Sequence, residues 1–304
     1  MLRQHASGYA TPFVGRTKEL ADIATRLTDP ACQLLTLTGL GGIGKTRLAV
    51  ETASAVAGQF AHGAVFVWLQ PIPRGDVIVS AIGQALGLIF YGDDDPREQL
   101  FGYLHDKRML LVLDNFEHLL DGAPLVSHLL AAAPGVTVLA TSREALHLQE
   151  EWLYPLEGLA TPLSVYATSL EEYDAVQLFL THARRVQPGF DPASAHDAVI
   201  QICMMTGGLP LALELAASWL KGLHAAHIAQ AVRRNIDMLS TTTRNVEPRH
   251  RSLRAVFDQS WALLSEHEQQ IFARLSVFPG SFSGDAAAQV VGASFIDLAA
   301  LVEK

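Results

Sequence analysis

The chain has 304 residues, room for two or three domains, and 49% of them are apolar with 17% charged, the balance of an ordinary globular protein. Its net charge of −9 argues against a surface built to grip nucleic acid, which is ordinarily basic. Cys32 and Cys203 are the only cysteines, too few for a disulfide framework and without metal-site spacing, so a reducing compartment is expected.

The opening "MLRQHASGYATPF" has no continuous apolar core and does not read as a secretory signal. From residue 33 to about 156, short apolar runs alternate with helix-like ones. "QLLTLT" (33–38), "AVFVWL" (64–69), "RMLLVLD" (108–114) and "VTVLATS" (136–142) are nearly continuous in hydrophobicity. That suits strands buried on both faces and predicts a mainly parallel α/β sheet. A fifth run, "EWLYPL" (151–156), contains a proline and predicts an edge strand.

Between the first strand and a helix-like run lies "GLGGIGKT", which fits G-x-x-x-x-G-K-[ST] in full. The glycines Gly39, Gly41, Gly42 and Gly44, with Ile43, let backbone N–H groups converge on phosphate oxygens. The following helix adds the positive end of its dipole. Lys45 would reach the β- and γ-phosphates, and the Thr46 hydroxyl would ligate Mg²⁺. The bland alternative is a glycine-rich turn that binds nothing.

Asp114, directly after five apolar residues, stands where a carboxylate would hold the water shell of that metal. Alternatively it caps the element that follows. Arg143, after Thr141 and Ser142 at the end of another strand, would touch the γ-phosphate or else serve as a surface or capping arginine. His224 and His227 sit three apart, which an exposed helix face explains better than a metal.

After "TPLSVYATS" the pattern is helical only. Ser169 with Glu172 predicts a capping box ahead of Val176, Phe179, Leu180 and Ala183. Asp191 and Pro192 predict the cap and first residue of the next helix, Gly207-Gly208 its end, and Pro210 the start of another. The run "GGLPLALELAASWL" carries Glu214 and is too short to span a membrane, so it reads as a buried helix. Residues 240–252 read as a polar linker whose Arg249, His250 and Arg251, with Arg254 just beyond, are solvated or contact phosphate. Ser265 with Glu268 predicts a second capping box, and "GDAAAQVV" and "FIDLAALVEK" two more helices.

Taken in order, these motifs resemble a STAND-class P-loop NTPase, more narrowly the NB-ARC-like module of bacterial LuxR- and SARP-type transcriptional regulators. The resemblance rests on "FVGRTKEL", the phosphate loop, "LLVLDNFEHLL", "TSREAL", "GGLPLALELAA" and "RHRSLRAVFDQSW", and covers nearly the whole chain. It implies a P-loop α/β domain with an N-terminal linker over 1–160, an ARC-type helical bundle over 161–245 and a partial winged helix over 246–304. The last stops at "ALVEK", before the family's histidine-containing nucleotide motif. ADP or ATP, with Mg²⁺, would lie between these units. The resemblance implies that the Val14 backbone and the Arg16 side chain meet the adenine end and that Arg47 joins the nucleotide-binding set. It further implies that Pro210 packs on adenine or ribose, that Arg143 senses the γ-phosphate, and that the winged helix is a moving clamp.

One departure bears on catalysis. Where the family commonly has a second acid after the metal-binding aspartate, this chain has Asn115, whose amide cannot take a proton from an attacking water. Glu117 is the substitute candidate, beside Lys45, Asp114 and Arg143 in the catalytic set. The expected function is therefore a cytoplasmic signalling switch, held closed by ADP and reset by slow ATP hydrolysis. A fast ATPase, motor or metabolic, and a non-hydrolysing nucleotide-stabilised scaffold are the rivals. Expected partners are sensor repeats and a DNA-binding effector elsewhere in a longer chain, with oligomerisation in the ATP state. Neither a membrane nor nucleic acid is expected to touch this segment directly.

Overall fold

In the computed structural model, the described residues are 11–164, 169–241, 250–278 and 280–303. Most of the 240–252 linker, Arg249 included, and part of "TPLSVYATS" lie outside them.

The first half alternates as the hydrophobic runs require. In chain order come α1 (Thr17–Thr28), β1 (Leu34–Thr38), α2 (Lys45–Val56), β2 (Ala64–Trp68), α3 (Ile78–Leu86), α4 (Pro96–Leu104), β3 (Met109–Asp114), α5 (Pro124–Ala132), β4 (Val136–Thr141) and β5 (Glu151–Pro155). The strands form one sheet in the order β2-β3-β4-β1-β5, every pair parallel. β5 is the edge strand its proline demands; Pro155 is its last residue, beside Thr38. Successive side chains of β3 point to opposite faces. Leu110 and Val112 join the core beneath α2, while Leu111 and Leu113 join the one beneath α3, α4 and α5. The order sets β4 between β1 and β3, so the carboxyl ends of these three strands open side by side. Ligands of open parallel sheets bind at such ends.

The second half is helical: α6 (Asp174–Val186), α7 (His196–Met205), α8 (Pro210–Ser218) and α9 (Ala225–Arg234), then α10 (Leu253–Ala262), α11 (Glu266–Leu275), α12 (Gly284–Val291) and α13 (Phe295–Glu303). The apolar stripe of α6, including Val176, Phe179, Leu180 and Ala183, is buried and shares one continuous core with α1, α2 and β1. The bundle therefore packs against the sheet domain. α11 to α13 add a small separate core around Ile271, Ala287 and Val291. Among the described residues no single helix is long and apolar enough to cross a membrane.

Two expected caps differ in the structure. Ser169 makes no side-chain cap, and the residues after it form only a short 3-10 turn, Leu170–Glu172. α6 instead begins at Asp174, whose Oδ2 accepts a hydrogen bond from the Arg16 N–H at 3.0 Å. A long-range contact has displaced a local one. Asp191 likewise holds a turn, accepting from the N–H groups of Ala193 and Ser194, and α7 starts only at His196. The Ser265–Glu268 capping box is present in full, with Gly207 and Gly208 after α7 and Pro210 as the first residue of α8.

Candidate functional site

The phosphate loop joins β1 to α2 beneath the sheet's carboxyl edge. Gly44 caps α2 in a left-handed conformation (φ 96°), leaving the helix N-terminus turned towards the loop. The loop is approached from both helical units. A Cβ on Gly42 (φ 77°) would stand 2.9 Å from Leu211 Cβ of α8, and one on Gly41 would stand 2.5 Å from Val256 Cγ1 of α10. Only residues without a side chain permit those approaches. Lys45 Nζ donates to the carbonyls of Gly39 (2.6 Å) and Leu40 (3.1 Å), folded back over the loop it serves.

Asp114, the last residue of β3, is fully buried, and its Oδ1 accepts from the Thr141 hydroxyl at 2.7 Å. Thr141 ends the adjacent strand β4 and also accepts from the Asn115 N–H at 2.9 Å. Asn115 is left-handed (φ 69°) and is itself the residue that precedes the next 3-10 turn, so Asp114 is not that turn's cap.

Two residues further on, Glu117 Oε1 accepts from Arg143 Nε at 3.1 Å, both side chains nearly buried. The rest of the Arg143 guanidinium turns to α10. Nη1 donates to the Ser260 hydroxyl (2.5 Å) and the Val256 carbonyl (3.5 Å), and Nη2 to Gln259 Oε1 (2.9 Å). Arg143 thus ties the carboxyl end of the sheet to the C-terminal helices.

At the other end, Arg16 is buried and left-handed (φ 63°). Its guanidinium binds Glu19 (2.7 Å) and the carbonyls of Ile43 (3.3 Å) and Glu157 (2.6 Å). The side chain therefore braces the phosphate loop from behind while lining the cavity beside Val14. Arg47 donates to the Thr11 carbonyl and lies over the Phe13 ring, 5.7 Å from its centroid.

These groups enclose one cavity of about 290 Å³, near the small end of the roughly 300–1,000 Å³ of small-molecule sites. Val14, Arg16, Gly41, Gly42, Ile43, Gly44, Lys45, Thr46, Arg47, Glu117, Arg143 and Pro210 all line it. Gly39 and Asp114 do not; the first holds Lys45 through its carbonyl, and the second reaches the cavity wall through Thr141. Leu211, Glu214, Val256 and Gln259 also line it and were not anticipated, and so does His250, for which the sequence left solvent or phosphate contact open. Leu211 and Glu214 follow Pro210 in the same apolar run, a signal of proximity; nothing local marks Gln259. His224 and His227 are exposed, and no cluster of three or more potential metal ligands exists among the described residues. Thr46, which lines the cavity, and the buried Asp114 at the neighbouring strand end would suit a magnesium ion, which takes one or two protein oxygens together with phosphate and water.

Comparison with known proteins agrees with this geometry. The NB-ARC domain family matches residues 16–146. A Mycobacterium tuberculosis protein named as an HTH-type transcriptional regulator is 38% identical over 269 residues, 87% of this chain and 29% of its own length. An uncharacterized protein of the same organism is 36% identical over 297 residues, 96% of this chain and 72% of its own. The chain thus spans less than a third of the regulator it matches. In fold it is similar to the ORC2 protein of Aeropyrum pernix, with a TM-score of 0.54 and 17% identity over 98% of this chain and 88% of that one. With an NB-ARC match over residues 16–146, a complete phosphate loop at the carboxyl edge of a parallel sheet and a relative of this identity and extent, the chain belongs to the NB-ARC family of P-loop NTPases.

Proposed function

We propose that this module is an ADP/ATP switch, closed with ADP and opened when ATP replaces it. The observation that carries the reading is the grip of α10 on Arg143 through Ser260, Gln259 and the Val256 carbonyl. In that arrangement Arg143 is held by protein oxygens. A γ-phosphate offers it stronger, doubly charged partners, so ATP would draw Arg143 from α10 and loosen the C-terminal helices. ADP, lacking that group, would leave the tie intact. A ligand shifts such an equilibrium only by its differential affinity for the two states, and Arg143 is where the difference would arise.

The remaining roles follow the chemistry of each group. The loop N–H groups and Lys45, swung from the Gly39 and Leu40 carbonyls, would hold the β-phosphate. Thr46 would ligate Mg²⁺, and Asp114, fixed by Thr141, would orient its water shell. Val14 and Pro210 would flank the base, with Arg16 bracing the loop. Residues 1–160, 161–245 and 246–304 would act as P-loop domain, ARC-type bundle and partial winged helix.

Hydrolysis would be slow. Asn115 cannot serve as a base, and the neighbouring acid, Glu117, is engaged by Arg143. The same pairing favours, as second reading, a scaffold that holds nucleotide without turnover. In a longer chain the module would pass its state to sensor and DNA-binding domains in the cytoplasm, with oligomerisation in the ATP state.

Calorimetric titration of ADP and a non-hydrolysable ATP analogue tests the switch. In the Gln259→Ala/Ser260→Ala variant, affinity for the ATP analogue should rise about five- to tenfold relative to ADP, as one or two hydrogen bonds cease to compete. An unchanged ratio would contradict it.

A further inference from the structure

Glu214 stands one helical turn beyond Pro210 on α8, so it shares the face that α8 turns to the cavity. Among the described residues it is the one carboxylate in the cavity wall on the bundle side; Glu117 lies on the sheet side, paired with Arg143. Its Oε1 lies 4.0 Å from Arg47 Nη1 and 3.4 Å from His182 Nε2 of α6. About a third of the side chain is exposed, and the residue lines the cavity.

A carboxylate in a nucleotide pocket repels phosphate, so its complement on the ligand is a hydrogen-bond donor away from the phosphates. Its height in the site selects the donor. Arg47 is the residue directly after Thr46, so the Arg47–Glu214 pair sits just past the phosphates along α2. Val14 and Pro210, which the reading above sets beside the base, wall the cavity further along with apolar faces. The group between phosphate and base is the sugar, and its hydroxyls are donors.

We propose that Glu214 accepts hydrogen bonds from the ribose hydroxyls and makes the site selective for ribonucleotides over deoxyribonucleotides. The inference rests on the nucleotide-site reading above. Arg47 supplies the positive charge that keeps an acidic side chain compatible with a nearby phosphate. Burial raises the Glu214 pKa while Arg47 and Arg185 lower it; in either protonation state an acceptor oxygen remains for a hydroxyl. His182 does not add a charge at neutral pH, since burial, Arg185 and Arg47 bring its pKa down to about 4.

The test is calorimetric binding of ADP, 2′-deoxy-ADP, 3′-deoxy-ADP and inosine diphosphate to wild type, Glu214→Gln and Glu214→Ala. Wild type should bind at least one deoxy analogue about tenfold or more weakly than ADP, the scale of a hydrogen bond to a charged acceptor. That ratio should shrink in Glu214→Gln and approach one in Glu214→Ala, with inosine diphosphate affected no more than ADP. Equal binding of ADP and both deoxy analogues by wild type overturns the proposal and leaves the nucleotide site standing. So does a Glu214→Ala variant that loses discrimination against inosine diphosphate alone, which would assign the carboxylate to the base. Failure of wild type to bind ADP overturns both.

Discussion

Lys45 tests the site at the scale of one side chain. It is nearly buried, and its ammonium donates to the loop carbonyls of Gly39 and Leu40, so its removal deletes charge at the loop and leaves the apolar core intact. Lys45→Ala should therefore keep its circular dichroism and melting temperature in the absence of nucleotide while losing ADP affinity at least a hundredfold. Undiminished affinity by calorimetry would remove the loop from the binding reaction. His182 makes a different prediction. With its pKa brought to about 4 by burial, Arg185 and Arg47, against about 6.5 when unfolded, the unfolded chain takes up a proton that the fold refuses. Stability is thus complete above about pH 6.5 and falls as pH drops towards 4. Glu214, with its pKa raised, acts in the opposite sense, so the His182→Gln variant isolates the histidine. Between pH 7 and pH 5 the wild type should lose about 2 kcal/mol more than that variant in urea unfolding. Parallel losses would contradict the assignment.

At the scale of elements, capping shows where local sequence decides and where it yields. Ser265 and Glu268 exchange both bonds of a capping box at the start of a mostly exposed helix. Ser265→Ala should cost about 1 kcal/mol, read as a lower denaturation midpoint, and a neutral result would mean that packing alone sets the start of α11. The same pattern at Ser169 and Glu172 fails because the chain bends there to present Asp174 to Arg16, 158 positions earlier. The strands were legible for a related reason. β1 to β4 are buried on both faces, so composition alone marks them, and the more exposed β5 carried its edge position in a proline. The phosphate loop was legible because its glycine spacing is local.

At the scale of the whole molecule, the site is an assembly of distant pieces, and this divided what the sequence disclosed from what it concealed. Asp114 and Arg143 could be picked out because the first ends a strand and the second closely follows one. Ser260 and Gln259, more than a hundred residues from Arg143, could not: a helix face that closes on another domain has no periodic signature beyond amphipathicity. Arg16 was placed at the adenine end by resemblance, and its bracing of Ile43 and Glu157 emerges only in three dimensions. One nucleotide touching the phosphate loop, α8 and the neighbourhood of α10 would bind the units together, adding about 2.7 kcal/mol at a hundred times its dissociation constant. The measurement that bears most directly on this account is the nucleotide content of the freshly purified protein, by acid extraction and ion-exchange chromatography, followed by melting with added ADP. The protein should carry bound ADP in preference to ATP, and its melting temperature should rise with added ADP. Protein free of nucleotide whose melting temperature ignores added ADP would contradict it.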